Sequence, residues 1–238
     1  MIAIVAAIRE EIAGIKNLYR HFSGQAKVVL TGPGKACAVA ATKNLVNSQP
    51  KPRAIISTGF CAGLLDELST GDLVLPRKLN LAHSPNTLQV DSRLSQIAEE
   101  CIHENILPYM RRDSVTVPTL LVTPESKLEA SRSYDAQCAS LEDYWICWIA
   151  SNAGIPFLSI HAVLDTSSQS IKPNVERLMW LRQEKGQFKA FLHAISKPMD
   201  YPTLLLLAKR ARQASNQLGI FLQAFVCKTL ERQPEKLF

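Results

Sequence analysis

The run Phe157-Leu158-Ser159-Ile160-His161-Ala162-Val163-Leu164, nearly all apolar and closed by Asp165, constrains the fold more than any other stretch. A strand without polar alternation offers no face to water, so it belongs in a parallel sheet covered by helices on both sides. Ligands of such open sheets bind outside the carboxyl ends of the strands, and Asp165 stands where this strand runs out. Just upstream, Ser140-Leu141-Glu142-Asp143 leads into the apolar stretch Trp145 to Ala150, which reads as a buried helix with Glu142 in its first turn. The helix dipole and the unpaired N–H groups favour a carboxylate there. Gly154 and Pro156 mark the turn between helix and strand. Taken singly, Glu142 reads equally well as a cap and Asp165 as the start of a turn. The pairing of two acids around one helix–strand unit points to a site.

The rest of the chain alternates in the same way. Met1 to Ile8 reads as a first strand, followed by a helix from about Arg9, a strand Lys27–Thr31, a Gly32-Pro33-Gly34-Lys35 turn and a helix Ala36–Val46. A third strand, Arg53–Thr58, ends in Ser57-Thr58-Gly59-Phe60-Cys61-Ala62-Gly63-Leu64, where two glycines permit backbone to approach a ligand or simply make a tight turn. Gly71 to Pro76 enters another strand, 77–90 reads as a loop, and Asp91 to Asn105 is an amphipathic helix whose Leu94, Ile97, Ala98, Cys101 and Ile102 form a core face. A strand Ser114–Val122 leads to Thr123, a cap for a helix starting near Pro124. Helices from about Val175 to Ala194 and Pro202 to Leu230 close the chain. The expected fold class is α/β, a single-domain three-layer αβα with a mixed, mainly parallel central sheet. One domain spans 1–238, with a C-terminal helical extension over about 175–230.

Composition narrows the function classes. A chain of 238 residues with 47% hydrophobic content suffices for one core. Six scattered cysteines without a CxxC pair predict buried thiols and neither disulfides nor a metal site. The apolar start lacks a basic leader and meets Arg9-Glu10-Glu11, and no apolar run approaches the roughly 18 residues of a membrane span, so a cytoplasmic protein without an integral membrane segment is expected. The net charge of +6 attracts anions weakly, but the basic residues do not interleave with an aromatic platform, so no nucleic-acid partner is expected. The basic C-terminal helix is suited to touch a membrane surface.

Four blocks, in order, resemble the nucleoside phosphorylase and nucleosidase superfamily, the group that includes methylthioadenosine/S-adenosylhomocysteine nucleosidase and purine nucleoside phosphorylase. They are Ile4 to Glu11, Thr31-Gly32-Pro33-Gly34-Lys35, Ser57 to Leu64 with Gly71-Asp72-Leu73-Val74, and Leu141-Glu142 through Asp165. The stretch Pro202 to Arg212 is similar to the branch associated with hopanoid biosynthesis. The resemblance implies cleavage of the N-glycosidic bond of a purine, adenosine-type nucleoside. In it, Asp165 protonates or hydrogen-bonds N7 of the departing base. A carboxylic acid at a dry strand end has its pKa raised enough to do so. Glu142 grips the ribose hydroxyls, Leu141 packs under the sugar in place of a methionine, and Glu11 orients and deprotonates water, with Glu10 as the fallback. An acid on one side of the bond and a base on the other suit an oxocarbenium-like transition state. The implied substrate pocket also takes in Phe60, Gly59, Thr58, Leu121, Val122 and His161, the last as a core histidine or a partner of Glu142.

Ser57 stands where one phosphorylase branch has a phosphate-gripping arginine, which favours hydrolysis. Phosphorolysis stays open through Gly34, Lys35 and Arg9, with phosphate as co-substrate and otherwise no cofactor. The departures Phe60, Leu141 and Asp143 keep a third reading open, a non-catalytic nucleoside-binding or storage relative. The bulky Phe60 and tryptophans suit a hydrophobic 5′ substituent such as a lipid-linked nucleoside. The resemblance also implies a homo-oligomer.

Overall fold

The computed structural model describes residues 1–15, 24–171 and 201–232. The expected helix at 175–194 lies outside the described residues. Strands β1 (Ile2–Ala6), β2 (Ala26–Leu30), β3 (Ala54–Gly63), β4 (Leu73–Val74), β5 (Lys78–Leu81), β6 (Thr87–Gln89), β7 (Tyr109–Met110), β8 (Ser114–Thr116), β9 (Cys138–Ser140) and β10 (Phe157–Asp165) form one sheet. The described helices are α1 (Lys35–Val46), α2 (Ser92–Glu104), α3 (Pro124–Tyr134), α4 (Asp143–Asn152) and α5 (Tyr201–Glu231). Pairing is parallel for β1–β2, β1–β3, β3–β10, β4–β7, β5–β8 and β8–β9, and antiparallel for β3–β9, β4–β10 and β5–β6. The sheet is therefore mixed and mainly parallel, sandwiched between helices as the apolar strands require. On one face α2 and α5 cover Ile4, Ile56, Leu158 and Ile160 with Leu94, Ile97, Phe221 and Phe225; on the other, α1 and α4 cover Val5, Ile55 and Phe157 with Ala38, Ile146 and Cys147.

The long strand β3 positions the site. One of its edges pairs with β10 from Ile55 to Ala62. The other is shared: β1 pairs with Ala54 to Ser57, and β9 pairs with Ala62 and Gly63. Between those two partners, residues 58–61 face a gap in the ladder. A buried N–H there must find an acceptor other than a strand.

Several local expectations need correction. The region around Gly59 and Gly63 is strand, not turn, because glycine is needed there for close packing. A Cβ at Gly59 would come within 2.6 Å of Glu11 Oε1, and one at Gly63 within 3.2 Å of Val163 Cγ1. The segment 77–90 holds the β5–β6 hairpin, with Lys78 opposite Gln89 and Asn80 opposite Thr87; its mixed polar character reflects a sheet edge. The strand expected from Ser114 to Val122 ends at Thr116, and β9 at Cys138–Ser140 takes the place beside it. Among the described residues that follow β1, a short 3-10 turn spans Arg9–Ile12 where the start of a helix was expected; residues 16–23 lie outside the described residues.

That turn is locked to α5 by small residues. Gly14 N–H donates to Ser215 Oγ at 2.7 Å, and a Cβ at Gly219 would lie 2.2 Å from the Gly14 carbonyl oxygen. Gly219→Ala gains about 1 kcal/mol of helix propensity. Overpacking against backbone costs more, so a net loss of about 1–2 kcal/mol is expected in urea denaturation.

Candidate active site

Glu11 fills the gap beside β3. Its Oε2 accepts from Ala7 N–H at 2.8 Å and Ile8 N–H at 2.9 Å, and its Oε1 accepts from Phe60 N–H at 3.1 Å. The 3-10 turn folds the side chain back onto the strand that precedes it, and Gly59 leaves the space it occupies. Burial raises the Glu11 carboxyl to about 7, against the three backbone donors, which pull it down. A carboxyl poised there is matched to proton abstraction near neutrality.

Glu142 is the residue that precedes α4, not part of its first turn. Its carboxylate turns away from the helix and accepts from Gly34 N–H at 2.6 Å. Gly34 sits at φ +87°, a conformation that favours glycine, so the Gly32–Lys35 turn spends an amide on a protein carboxylate. Burial raises Glu142 to about 8, opposed by the Gly34 N–H and augmented by the charges of Glu11 and Asp143. The helix-end stabilisation expected from the sequence is outweighed by desolvation. Glu11, buried, and Glu142, partly buried, are thus neighbouring carboxyls, and the charge of each disfavours ionisation of the other.

Both groups bind protons more tightly in the folded state than at their ordinary value of 4.5. The native state therefore holds more protons than the unfolded chain from about pH 5 up to about 8. The stability of the ligand-free protein is fully present below that window and falls as pH rises through it, by about 1.4 kcal/mol per pH unit for each group that differs in proton occupancy. A urea midpoint that drops between pH 5.5 and 8 is the expected result; one that rises would contradict the burial of these two carboxyls.

Behind Glu142, Asp143 is fully buried and accepts from Ser57 Oγ at 2.5 Å and Ser159 Oγ at 2.6 Å. His161 Nδ1 lies 3.3 Å from Asp143 Oδ2 and from Ser159 Oγ. The histidine therefore pairs with Asp143 rather than with Glu142, because Phe157, Ser159 and His161 of β10 share the face towards α4. Ser57, read as a missing arginine, is a donor to this acid.

Asp165 ends β10 opposite Ala62, one strand across from the Phe60 amide that holds Glu11. Burial raises its carboxyl, while Lys127, in direct contact, and Arg210, at longer range, lower it. Lys127 comes from α3 and is fully buried; sequence reasoning missed it. Its helical spacing to buried Ala130, which puts both on one face, was the available signal.

The remaining expected residues are placed less centrally. Leu121 and Leu141 pack against one apolar cluster with Leu64, Val115 and Val117. Val122 accepts from Ile171 N–H at 2.8 Å through its carbonyl. Phe60 packs on the α2–α5 side. Thr58 is buried, and its Oγ1 has no hydrogen-bond partner among the described residues. Lys35 Nζ lies 3.7 Å from the centre of the Trp145 ring, and Arg9 is exposed. Among the described residues no group of three or more His, Cys, Asp or Glu side chains is placed to hold a metal ion. No described helix is long and apolar enough to cross a membrane.

A sheet built on β3 and β10, with acids at its open end, defines a class that comparison with known proteins identifies. The chain belongs to the phosphorylase superfamily, whose family model matches residues 8–193. Among curated proteins it is similar to the 5′-methylthioadenosine/S-adenosylhomocysteine nucleosidase of Listeria welshimeri, 25% identical over 224 residues that cover 78% of this chain and 94% of that protein. A Listeria monocytogenes protein of the same name is 26% identical over 199 residues, 74% of this chain and 84% of that one. The fold is shared with the futalosine hydrolase of Helicobacter pylori, at a TM-score of 0.67, 14% identity, and coverage of 93% of this chain and 97% of that chain. It is shared equally with the Campylobacter jejuni 5′-methylthioadenosine/S-adenosylhomocysteine nucleosidase, at 0.68, 15%, 93% and 98%.

Proposed function

We propose that the protein cleaves the N-glycosidic bond of an adenosine-type purine nucleoside with water as the nucleophile. The observation that carries this reading is Glu11, a buried carboxyl raised to about 7 and pinned by three backbone N–H groups beside Glu142. Glu142 accepts hydrogen bonds from the ribose hydroxyls and holds the sugar. Glu11 takes a proton from water as its oxygen bonds to the anomeric carbon. The C1′–N9 bond breaks, its electron pair goes to the base, and N7 takes the proton of Asp165. The positive charge that builds on the sugar is offset by nearby carboxylates. The names of the Listeria relatives support the substrate class, and the site residues support hydrolysis. Of Gly34, Lys35 and Arg9, the groups suggested for phosphate, Lys35 is engaged with Trp145 and Gly34 N–H with Glu142, so two of the three are occupied elsewhere. On this reading the enzyme needs no cofactor and acts on a small molecule as a single-domain cytoplasmic homo-oligomer.

The test is release of free adenine from adenosine, methylthioadenosine and a lipid-linked adenosine in phosphate-free buffer. Turnover that is unchanged on adding phosphate supports hydrolysis. Turnover that requires phosphate makes the protein a phosphorylase, and binding of adenine without release from any of the three makes it a receptor.

A further inference from the structure

The mechanism above uses Asp165 but leaves unexplained the lysine attached to it. Lys127 Nζ donates to Asp165 Oδ2, to the Thr166 carbonyl at 2.7 Å and to the Gln169 carbonyl at 2.7 Å. Three acceptors around one nitrogen require an ammonium, since a neutral amine has only two protons to give. The side chain is fully buried, and its charge is held there by the Asp165 carboxyl together with the two carbonyl oxygens. The ion pair fixes one carboxylate oxygen, while Oδ1 accepts no hydrogen bond from the described residues. The two carbonyl bonds also tie the 166–169 segment to α3, closing the chain over the end of β10.

We infer that Lys127 is a positioning residue: its ammonium clamps Oδ2 of Asp165, turns Oδ1 towards the leaving base, and sets the pH range over which Asp165 carries the proton it delivers. The inference rests on the proposed role of Asp165. Among the described residues, the charged and titratable groups facing this carboxyl are Lys127 from α3, Arg210 from α5 and the Cys61 thiol from β3. Of these, Lys127 alone is in hydrogen-bond contact with it. An acid beside an ammonium gives up its proton more readily, and it is also protonated over a narrower range. Loss of the lysine leaves a buried carboxyl that holds its proton to higher pH.

The experiment compares the wild-type protein with Lys127→Met, Lys127→Arg and Lys127→Gln in two readouts. Without substrate, the Asp165 carboxyl is titrated by carbon-13 NMR, its signal assigned by its disappearance in Asp165→Asn. The titration is expected to move up by at least a pH unit in Lys127→Met and to stay near the wild-type position in Lys127→Arg. With substrate, kcat in Lys127→Met is expected to fall more than tenfold with KM changed less than threefold, and the alkaline limb of the rate profile is expected to move up with the titration. A merely structural lysine would lower the melting temperature without moving either pH readout. Lys127→Gln, which keeps donors without charge, serves if the methionine variant does not fold. An unmoved titration in the neutral variants overturns the inference. If instead Asp165→Asn keeps wild-type turnover, the catalytic reading fails independently of the titration.

Discussion

Replacing Glu11 with glutamine is expected to lower kcat about 10²–10⁴-fold, the usual contribution of a positioned general base. Glutamine keeps the length of the side chain and still accepts through one oxygen. It cannot accept from Ala7, Ile8 and Phe60 together, because one end is now an NH₂ donor facing N–H groups. The effect therefore has two parts: water loses its proton acceptor, and the ladder gap beside Phe60 is left under-satisfied. The first should leave KM largely unchanged, because the ribose is held by Glu142. The second should cost about 1–3 kcal/mol of stability. The acidic limb of the wild-type rate profile, expected near pH 7 where Glu11 must lose its proton, should vanish with the carboxyl. Steady-state kinetics between pH 5 and 9 check both statements. A glutamine variant with wild-type kcat would remove Glu11 from the mechanism.

The second large effect is on stability. Asp143→Ala is expected to destabilise the protein by about 3–5 kcal/mol, because hydrogen bonds to a charged acceptor are worth about 1.5–3 kcal/mol each and two hydroxyls lose theirs at once. Ser57 would be left buried without its acceptor and Ser159 with His161 Nδ1 at 3.3 Å in place of a charged one, on the two adjacent strands that form the middle of the sheet. The change also reaches the site. Asp143 is one of the charges that raise Glu142, so its removal should bring the Glu142 carboxyl down from about 8. Urea denaturation at pH 6 measures the first effect. Asp143→Asn, which retains acceptor capacity without charge, should lose markedly less.

Asp143 shows where sequence reading reaches its limit. As a departure from small residues it keeps open a relative that binds without turnover, yet Ser57 and Ser159 accompany it, and the three together make a satisfied buried network. Nothing in their spacing reveals this, because residues 57, 143 and 159 meet only after β3, α4 and β10 have packed. The same holds for Glu142, whose partner Gly34 lies 108 positions away. By contrast, the apolar run of β10 and the heptad-like face of α2 announce themselves, since periodicity is a local property. Strand β3 runs on to Gly63, past the end at Thr58 expected from the sequence, where glycine reads as punctuation. Gly59 is instead an accommodation for Glu11, knowable only once that carboxyl is in place. Lys127 escapes a sequence reading for a related reason: lysine reads as surface, and its burial depends on Asp165 and the Thr166 and Gln169 carbonyls, far away in the chain.

The most direct test of the account is a crystal structure of the protein soaked with a non-cleavable adenosine analogue. The account predicts ribose hydroxyls on Glu142, the anomeric carbon facing a water held by Glu11, and the base edge on the free oxygen of Asp165. An analogue bound elsewhere, with these three carboxyls still engaged only with the protein, would contradict it.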